Sequence, residues 1–193
     1  MLPGFPRQAE PMPPLSDELR SLGIALRPAR TADLPFLRTL YASFRMAELA
    51  LIPWSPAQKL AFLNDQFRLQ HLHFTQFYAK SDFWLIVQTH PTGKAQPIGR
   101  LYLDRSRSDW LIVDIGLLPE ARRHGLGSAL LDWIKTAATA AGAEGLALQV
   151  AANNPAARAL YLRKGFADAG AAQALHQPMR WPVPADTPQL NTA

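Results

Sequence analysis

Two stretches of this 193-residue chain combine residue types in an order that invites chemistry. The first is Ala121 to Leu131, ARRHGLGSALL, where Arg122, Arg123 and His124 stand beside Gly125 and Gly127 before the chain turns apolar. A helix start exposes unpaired N–H groups and the positive end of the backbone dipole, which suits a phosphate. Two glycines let the backbone approach such an anion without side-chain obstruction. Taken alone, the loop reads first as a glycine-rich turn with solvated arginines, because short motifs often match by chance. The second stretch is LIVDIGLL, in which Asp114 is the only carboxylate of an apolar strand. An acid there is costly unless it is paired, solvated or facing a cleft, and Arg100 is a candidate partner.

Other chemistries fail on detail. A dinucleotide fingerprint needs a third glycine where Leu130 stands and an acid at the end of the next strand, whereas Glu144 precedes that strand. A P-loop needs Gly-Lys-Ser/Thr, which does not follow. His71 and His73 are two apart on a helical pattern and so share no face, and no acidic set completes a metal site around them. They read as surface or packing histidines.

The positioning elements follow from hydrophobic spacing. Ile24 to Ala29 reads as a short strand, and Thr31 opens a helix with Leu34, Leu37, Leu40, Tyr41 and Phe44 at helical spacing. Residues Ala57 to Tyr78 carry a second helical pattern; its aromatics, with Trp54 before it, are expected in the core and as a lid. Asp82 to Thr89, Ile98 to Asp104 and Trp110 to Leu118 are three successive strands, an antiparallel meander with HPTGKAQP as its first turn. Leu126, Leu130, Ile134, Ala137, Ala138 and Ala141 lie on one helical face, with Gly142 as its cap. Gly145 to Ala151 is a strand. The next helix has Asn154 as N-cap, Pro155 at its first position and Gly165 just past its end. Strand, helix, strand, helix in this half implies a parallel pair within a mixed α/β domain of α+β type, with a mostly antiparallel central sheet flanked by helices.

Composition bounds the class. Hydrophobic residues make up 48% and charged residues 18%, a globular balance. No apolar run approaches the roughly 18 residues of a membrane span, and MLPGFPRQAEPMPPLSDELR lacks a basic head followed by an apolar stretch, so no secretory signal is read. The absence of cysteine excludes disulfides and a cysteine nucleophile and is compatible with the cytoplasm, the expected location. The net charge of +5 is dispersed, a bias toward anions without the basic run of a nucleic-acid binder. Pro3, Pro6, Pro11, Pro13 and Pro14 at one end, and Pro178, Pro182, Pro184 and Pro188 at the other, suggest loosely attached ends. The expected organisation is an extension over 1–22, one domain over 23–181 and a tail over 182–193.

Read outward, LLPEARRHGLGSALL and NNPAARALYLRKGF together resemble the GNAT acetyltransferase superfamily. The first matches its acyl-CoA signature through Leu117, Pro119, Arg122, Gly125 and Gly127. The second matches Asn-x-x-Ala-x-x-Leu-Tyr-x-x-x-Gly-Phe through Asn154, Ala157, Leu160, Tyr161, Gly165 and Phe166. The opening ALRPARTADLPFL and the element order extend the resemblance over about residues 24–180.

The resemblance implies that the strand before the signature splays from its neighbour and that pantetheine lies in the gap. Backbone at Leu117 and Leu118 would meet the pantetheine amides, with an N–H there polarising the thioester carbonyl. Arg122 would add positive charge, and the N–H groups of Arg123, His124, Gly125, Leu126, Gly127 and Ser128 would cradle the pyrophosphate. Asn154 and Ala157 would contact the pantetheine arm. Tyr161 holds the family position of the general acid for the departing thiolate, a role a phenol suits. Asp114 is the candidate that handles the incoming amine, or else a carboxylate satisfied by Arg100. Gln149 stands where some members have a glutamate. The implied activity is acyl transfer, most simply of acetyl from acetyl-CoA as co-substrate, to a primary amine by direct attack in a ternary complex. The amine belongs to a small molecule or a peptide, no metal is expected, and a homodimer is possible. The rivals are a non-catalytic acyl-CoA sensor on the same fold and a basic nucleic-acid-binding domain, which would show steep salt dependence.

Overall fold

The computed structural model describes residues 2–8, 10–89, 93–172 and 174–184. The chain runs α1 (Asp17–Ser21), β1 (Ile24–Pro28), α2 (Leu34–Arg45), α3 (Pro56–Phe77), β2 (Asp82–Thr89), β3 (Ala95–Asp104), β4 (Asp109–Leu117), α4 (Leu126–Ala140), β5 (Gly145–Ala151), α5 (Pro155–Arg163), β6 (Ala167–Asp168) and β7 (His176–Pro182). The seven strands form one sheet in the order β1-β2-β3-β4-β5-β7-β6. All neighbours are antiparallel except β4 and β5, which α4 joins as a parallel crossover. The meander, the crossover and the α5 boundaries stand as their spacing predicts; residues 90–92 of the first meander turn lie outside the described residues.

Both sheet faces are covered, which is why β2 reads as an unbroken apolar run. Trp84 and Ile86 face a core with α4, while Phe83, Leu85 and Val87 face a second core with α2 and α3. The period of 2 along a strand divides the side chains between the two cores.

The proline-rich start, expected to be loosely attached, lies along the domain. Prolines remove N–H donors but keep their carbonyls, and buried donors of the domain use those carbonyls. The Trp133 indole donates to the Pro14 carbonyl at 2.9 Å, the His71 ring nitrogen lies 2.8 Å from the Pro3 carbonyl, and Arg105 donates to the carbonyls of Glu10 and Pro11. Phe5 packs edge-on to His71 at 5.0 Å, and Leu19 of α1 is wholly buried. The other end differs similarly. Residues through Val183, which donates to the Glu144 carbonyl at 2.9 Å, are tied to the sheet, because β7 pairs with β5 along its length. Pro178 sits inside β7 and accepts from the Ala169 N–H at 2.9 Å. Residues 185–193 lie outside the described residues.

Candidate active site

The site begins with one extra residue. Between β3 and β4 the register runs Tyr102↔Asp114 and then Leu103↔Ile112, so Val113 is a bulge. A bulge bends its strand and re-aims the side chains beside it. The parallel pairing of β4 with β5 stops at the same place, at Ile112↔Leu148. Beyond it, Val113 to Leu117 and Gln149 to Ala151 diverge, and a cleft of about 1210 Å³ extends from the gap.

Along the open edge of β4 the backbone faces this gap. The Leu118 N–H donates to the Ile98 carbonyl on β3 at 2.8 Å. Alternate residues of a strand point their polar groups to opposite sides, so the Leu117 N–H and C=O are directed toward the gap. The Leu117 carbonyl accepts from Arg122 Nε at 2.8 Å. The Arg122 guanidinium lies 5.1 Å over the Phe44 ring, and burial holds its pKa below the ordinary value. Phe44 in turn packs against Gly116, where an added Cβ would meet the ring at 2.5 Å. Arg122 is therefore a buttress of the cleft wall rather than a freely solvated cation.

The loop that opens α4 has a geometry that suits an anion. Gly125 is left-handed at φ 79°, and so is Arg123 at φ 63°, a conformation that strains a residue with a side chain. Among the described residues, the N–H groups of the six residues from Arg123 to Ser128 have no backbone or side-chain acceptor. A run of unpaired N–H groups at a turn and a helix start forms a concave anion site.

Two candidate proton carriers share the cleft. Tyr161 on α5 is 8% exposed and packs against Phe166 at 5.8 Å between ring centroids. Burial, reinforced by the charge of Asp114, pushes its phenol up to about 12. Asp114 enters from β4 and pairs with the Arg100 guanidinium. Arg100 is only 2% exposed, donates to Gln70 Oε1 at 2.9 Å, and lies over the rings of Tyr102 and Phe74 at 5.3 and 5.8 Å. Burial works against its charge, but Asp114 and Tyr102 together offset this and raise its pKa. The structural partner foreseen for Asp114 is present, and the carboxylate still lines the cleft.

Of the other expected residues, Leu117, Arg122, Arg123, Gly125, Gly127, Ser128, Asn154 and Ala157 line the cleft. Asn154 caps α5 by accepting from the Ala157 N–H at 3.1 Å. Leu118, His124 and Leu126 do not line it: Leu118 packs into the second core, Leu126 into the first, and His124 is exposed. The helix α3 forms a wall of the cleft through Gln66, Leu69, Gln70 and His73 rather than through its aromatics. Those four share one helical stripe, and Phe67 turns inward to the core on another. Glu48 also lines the cleft, held by Arg45 at 3.0 Å and by the Asn153 amide at 3.2 Å.

Comparison with known proteins agrees with this geometry. Residues 45–166 match the model of the Acetyltransferase (GNAT) family. Among solved structures, the PaiA N-acetyltransferase of Thermoplasma acidophilum, in complex with coenzyme A, is 16% identical with a TM-score of 0.60, covering 82% of this chain and 98% of its own. An acetyltransferase of Thermus thermophilus is 20% identical, TM-score 0.58, over 83% and 97%. The spermidine N-acetyltransferase of Vibrio cholerae, in complex with CoA and spermine, is 19% identical, TM-score 0.52, over 82% and 93%. At these identities the likeness is one of fold. Together with the family match over most of the domain, it establishes that this chain belongs to the GNAT family of acetyltransferases.

Proposed function

We propose that this protein transfers an acetyl group from acetyl-CoA to a primary amine by direct attack, both substrates being bound in the splayed gap. The observation that carries the reading is the convergence on one cleft of an open strand edge, a run of unpaired N–H groups, a buried phenol and a carboxylate. A neighbour of the same fold is solved in complex with coenzyme A, which supports the choice of donor. The thioester supplies an activated acyl carbon. The Arg123 to Ser128 loop binds phosphate oxygens, and the gap-facing edge at Leu117 orients the chain that carries the thioester. In this reading the Leu117 N–H stabilises the charge that develops on the carbonyl oxygen during attack.

Asp114 receives the incoming ammonium, which must lose a proton to the carboxylate or through a water before its lone pair can attack. The amide bond forms as the carbon–sulfur bond breaks. The Tyr161 hydroxyl donates its proton to the departing sulfur and is restored from solvent. A phenol with a pKa of about 12 stays protonated at any working pH, so it is always ready to donate. In Tyr161→Phe, turnover should fall roughly 100-fold, the usual scale of a lost general acid, with acetyl-CoA affinity nearly unchanged. Steady-state kinetics and calorimetric titration read the two effects separately. Full activity in the variant across pH would remove Tyr161 from this role. A protein that binds acetyl-CoA yet acetylates no amine would instead be a sensor.

A further inference from the structure

The cleft has two ends. The Arg123 to Ser128 loop marks one, and the end of α2 with the Gln66, Leu69, Gln70 and His73 stripe of α3 forms the other. The electrostatics of that second end bear on the amine. Among the described lining residues its carboxylates are Glu48 and Asp114, and each is neutralised by an arginine, Arg45 and Arg100 respectively. The rest is amide and apolar surface. The Gln66 side chain makes no hydrogen bond among the described residues, Gln70 commits its Oε1 to Arg100 but keeps its NH2 donors, and Leu69 is half exposed. Phe77, 73% exposed and tilted against His73 at 4.7 Å, adds apolar surface beside that stripe.

We infer that the acceptor carries a single ammonium beside neutral amide groups on a partly apolar body, an α-amino amide or the free N-terminus of a peptide, and is not a polyamine. The inference rests on the transferase reading above and adds the substrate class. A polycation would place its second and third ammonium groups beside Arg45 and Arg100 with no open carboxylate oxygen to receive them, since Glu48 commits Oε2 to Arg45 and Oε1 to the Asn153 amide. Like charges a few ångströms apart in a partly buried site penalise binding strongly. A single ammonium has Asp114 Oδ1 to meet it, since Arg100 engages only Oδ2. The amides of Gln66 and Gln70 can exchange hydrogen bonds with a peptide group, and a site built to do so discriminates against ligands that lack one. The apolar surface of Leu69 and Phe77 suits the side chain beside that amine.

The full-length protein and acetyl-CoA are assayed for thiol release against leucine amide, a tripeptide with a free N-terminus, putrescine, spermidine and spermine. The expected result is a kcat/KM for the amide-bearing acceptors at least about tenfold above that for any polyamine. Amide and tripeptide arms separate a free small molecule from a chain terminus. Arg45→Glu, a substitution at a half-exposed position, should shift the ratio toward spermidine by about tenfold. A polyamine preferred by the parent protein, or a ratio unmoved by Arg45→Glu, overturns the inference and leaves the transferase reading standing. Acetyl-CoA binding by calorimetry with no turnover of any amine overturns both.

Discussion

Gly125 and Gly127 do different work in one loop. An added Cβ at Gly125 meets nothing within 4 Å, so the glycine is required by its φ of 79° and not by space. An alanine there should cost about 1 kcal/mol in stability, the strain of a left-handed residue. Gly127 lies inside the first turn of α4, and its added Cβ would touch only Leu160 at an ordinary 3.4 Å. Helix propensity favours alanine there by up to about 1 kcal/mol. Gly127→Ala should therefore leave urea stability equal or higher while lowering acetyl-CoA affinity about tenfold, by crowding the unpaired N–H groups. An unchanged calorimetric Kd would show that the loop does not cradle the phosphates. Arg123 pays for its left-handed backbone within the same loop, as functional turns often do.

At the scale of elements, the bulge and the pins around it shape the site. Arg27 on β1 holds Asp33, at the entry to α2, through two hydrogen bonds of 2.7 and 2.8 Å. That pair fixes the start of the helix which carries Phe44 and Arg45 to the cleft. The Arg27 hydrogen bond, with help from the Arg30 N–H, holds the Asp33 pKa below the ordinary carboxylate range. A carboxylate with a lowered folded pKa contributes stability in full above its unfolded pKa near 3.9, and the contribution is lost as pH falls through the folded value. Asp33→Asn should therefore be less stable than the parent at pH 7 by about 1 kcal/mol or more, and the gap should be narrower at about pH 3, below the unfolded value. Urea midpoints at both pH values check this. A gap equally wide in acid would mean that the loss comes from packing instead.

Across the whole molecule, the proline-rich start is a strap between the two cores. Leu2 and Phe5 pack with the α2 and α3 side, whereas Met12 and Leu15 pack with the α4 side. Between them, Arg105 is buried against Asp82 at 2.6 Å and lies over the rings of Trp84 and Trp110 while it donates to the strap. Removing residues 1–14 would leave the indole donors of Trp133 and Trp84 without their acceptors and reduce Arg105 to its pairing with Asp82. Each stranded buried donor costs about 1–3 kcal/mol, so the truncated chain should lose about 3 kcal/mol or more. A urea midpoint equal to the parent's would show that the strap adds nothing to stability.

The sequence by itself determined what depends on neighbours along the chain. Helix and strand periods, the Asn154-Pro155 start of α5, and the glycine loop after an apolar strand are all local, because a turn or cap is satisfied within a few residues. The two motifs placed Tyr161 and the loop within one site. What remained for the tertiary structure depends on pairings between distant segments. Nothing in LIVDIGLL marks Val113 as the bulged residue; the register against β3 does. The aromatic content of α3 pointed to the helix but not to the face it turns to the cleft, since packing in the second core claims Phe67 and leaves Gln66 and Gln70 on the cleft wall. Likewise, prolines that read as loose ends became a strap and an inner strand, because buried donors on the far side of the chain needed their carbonyls.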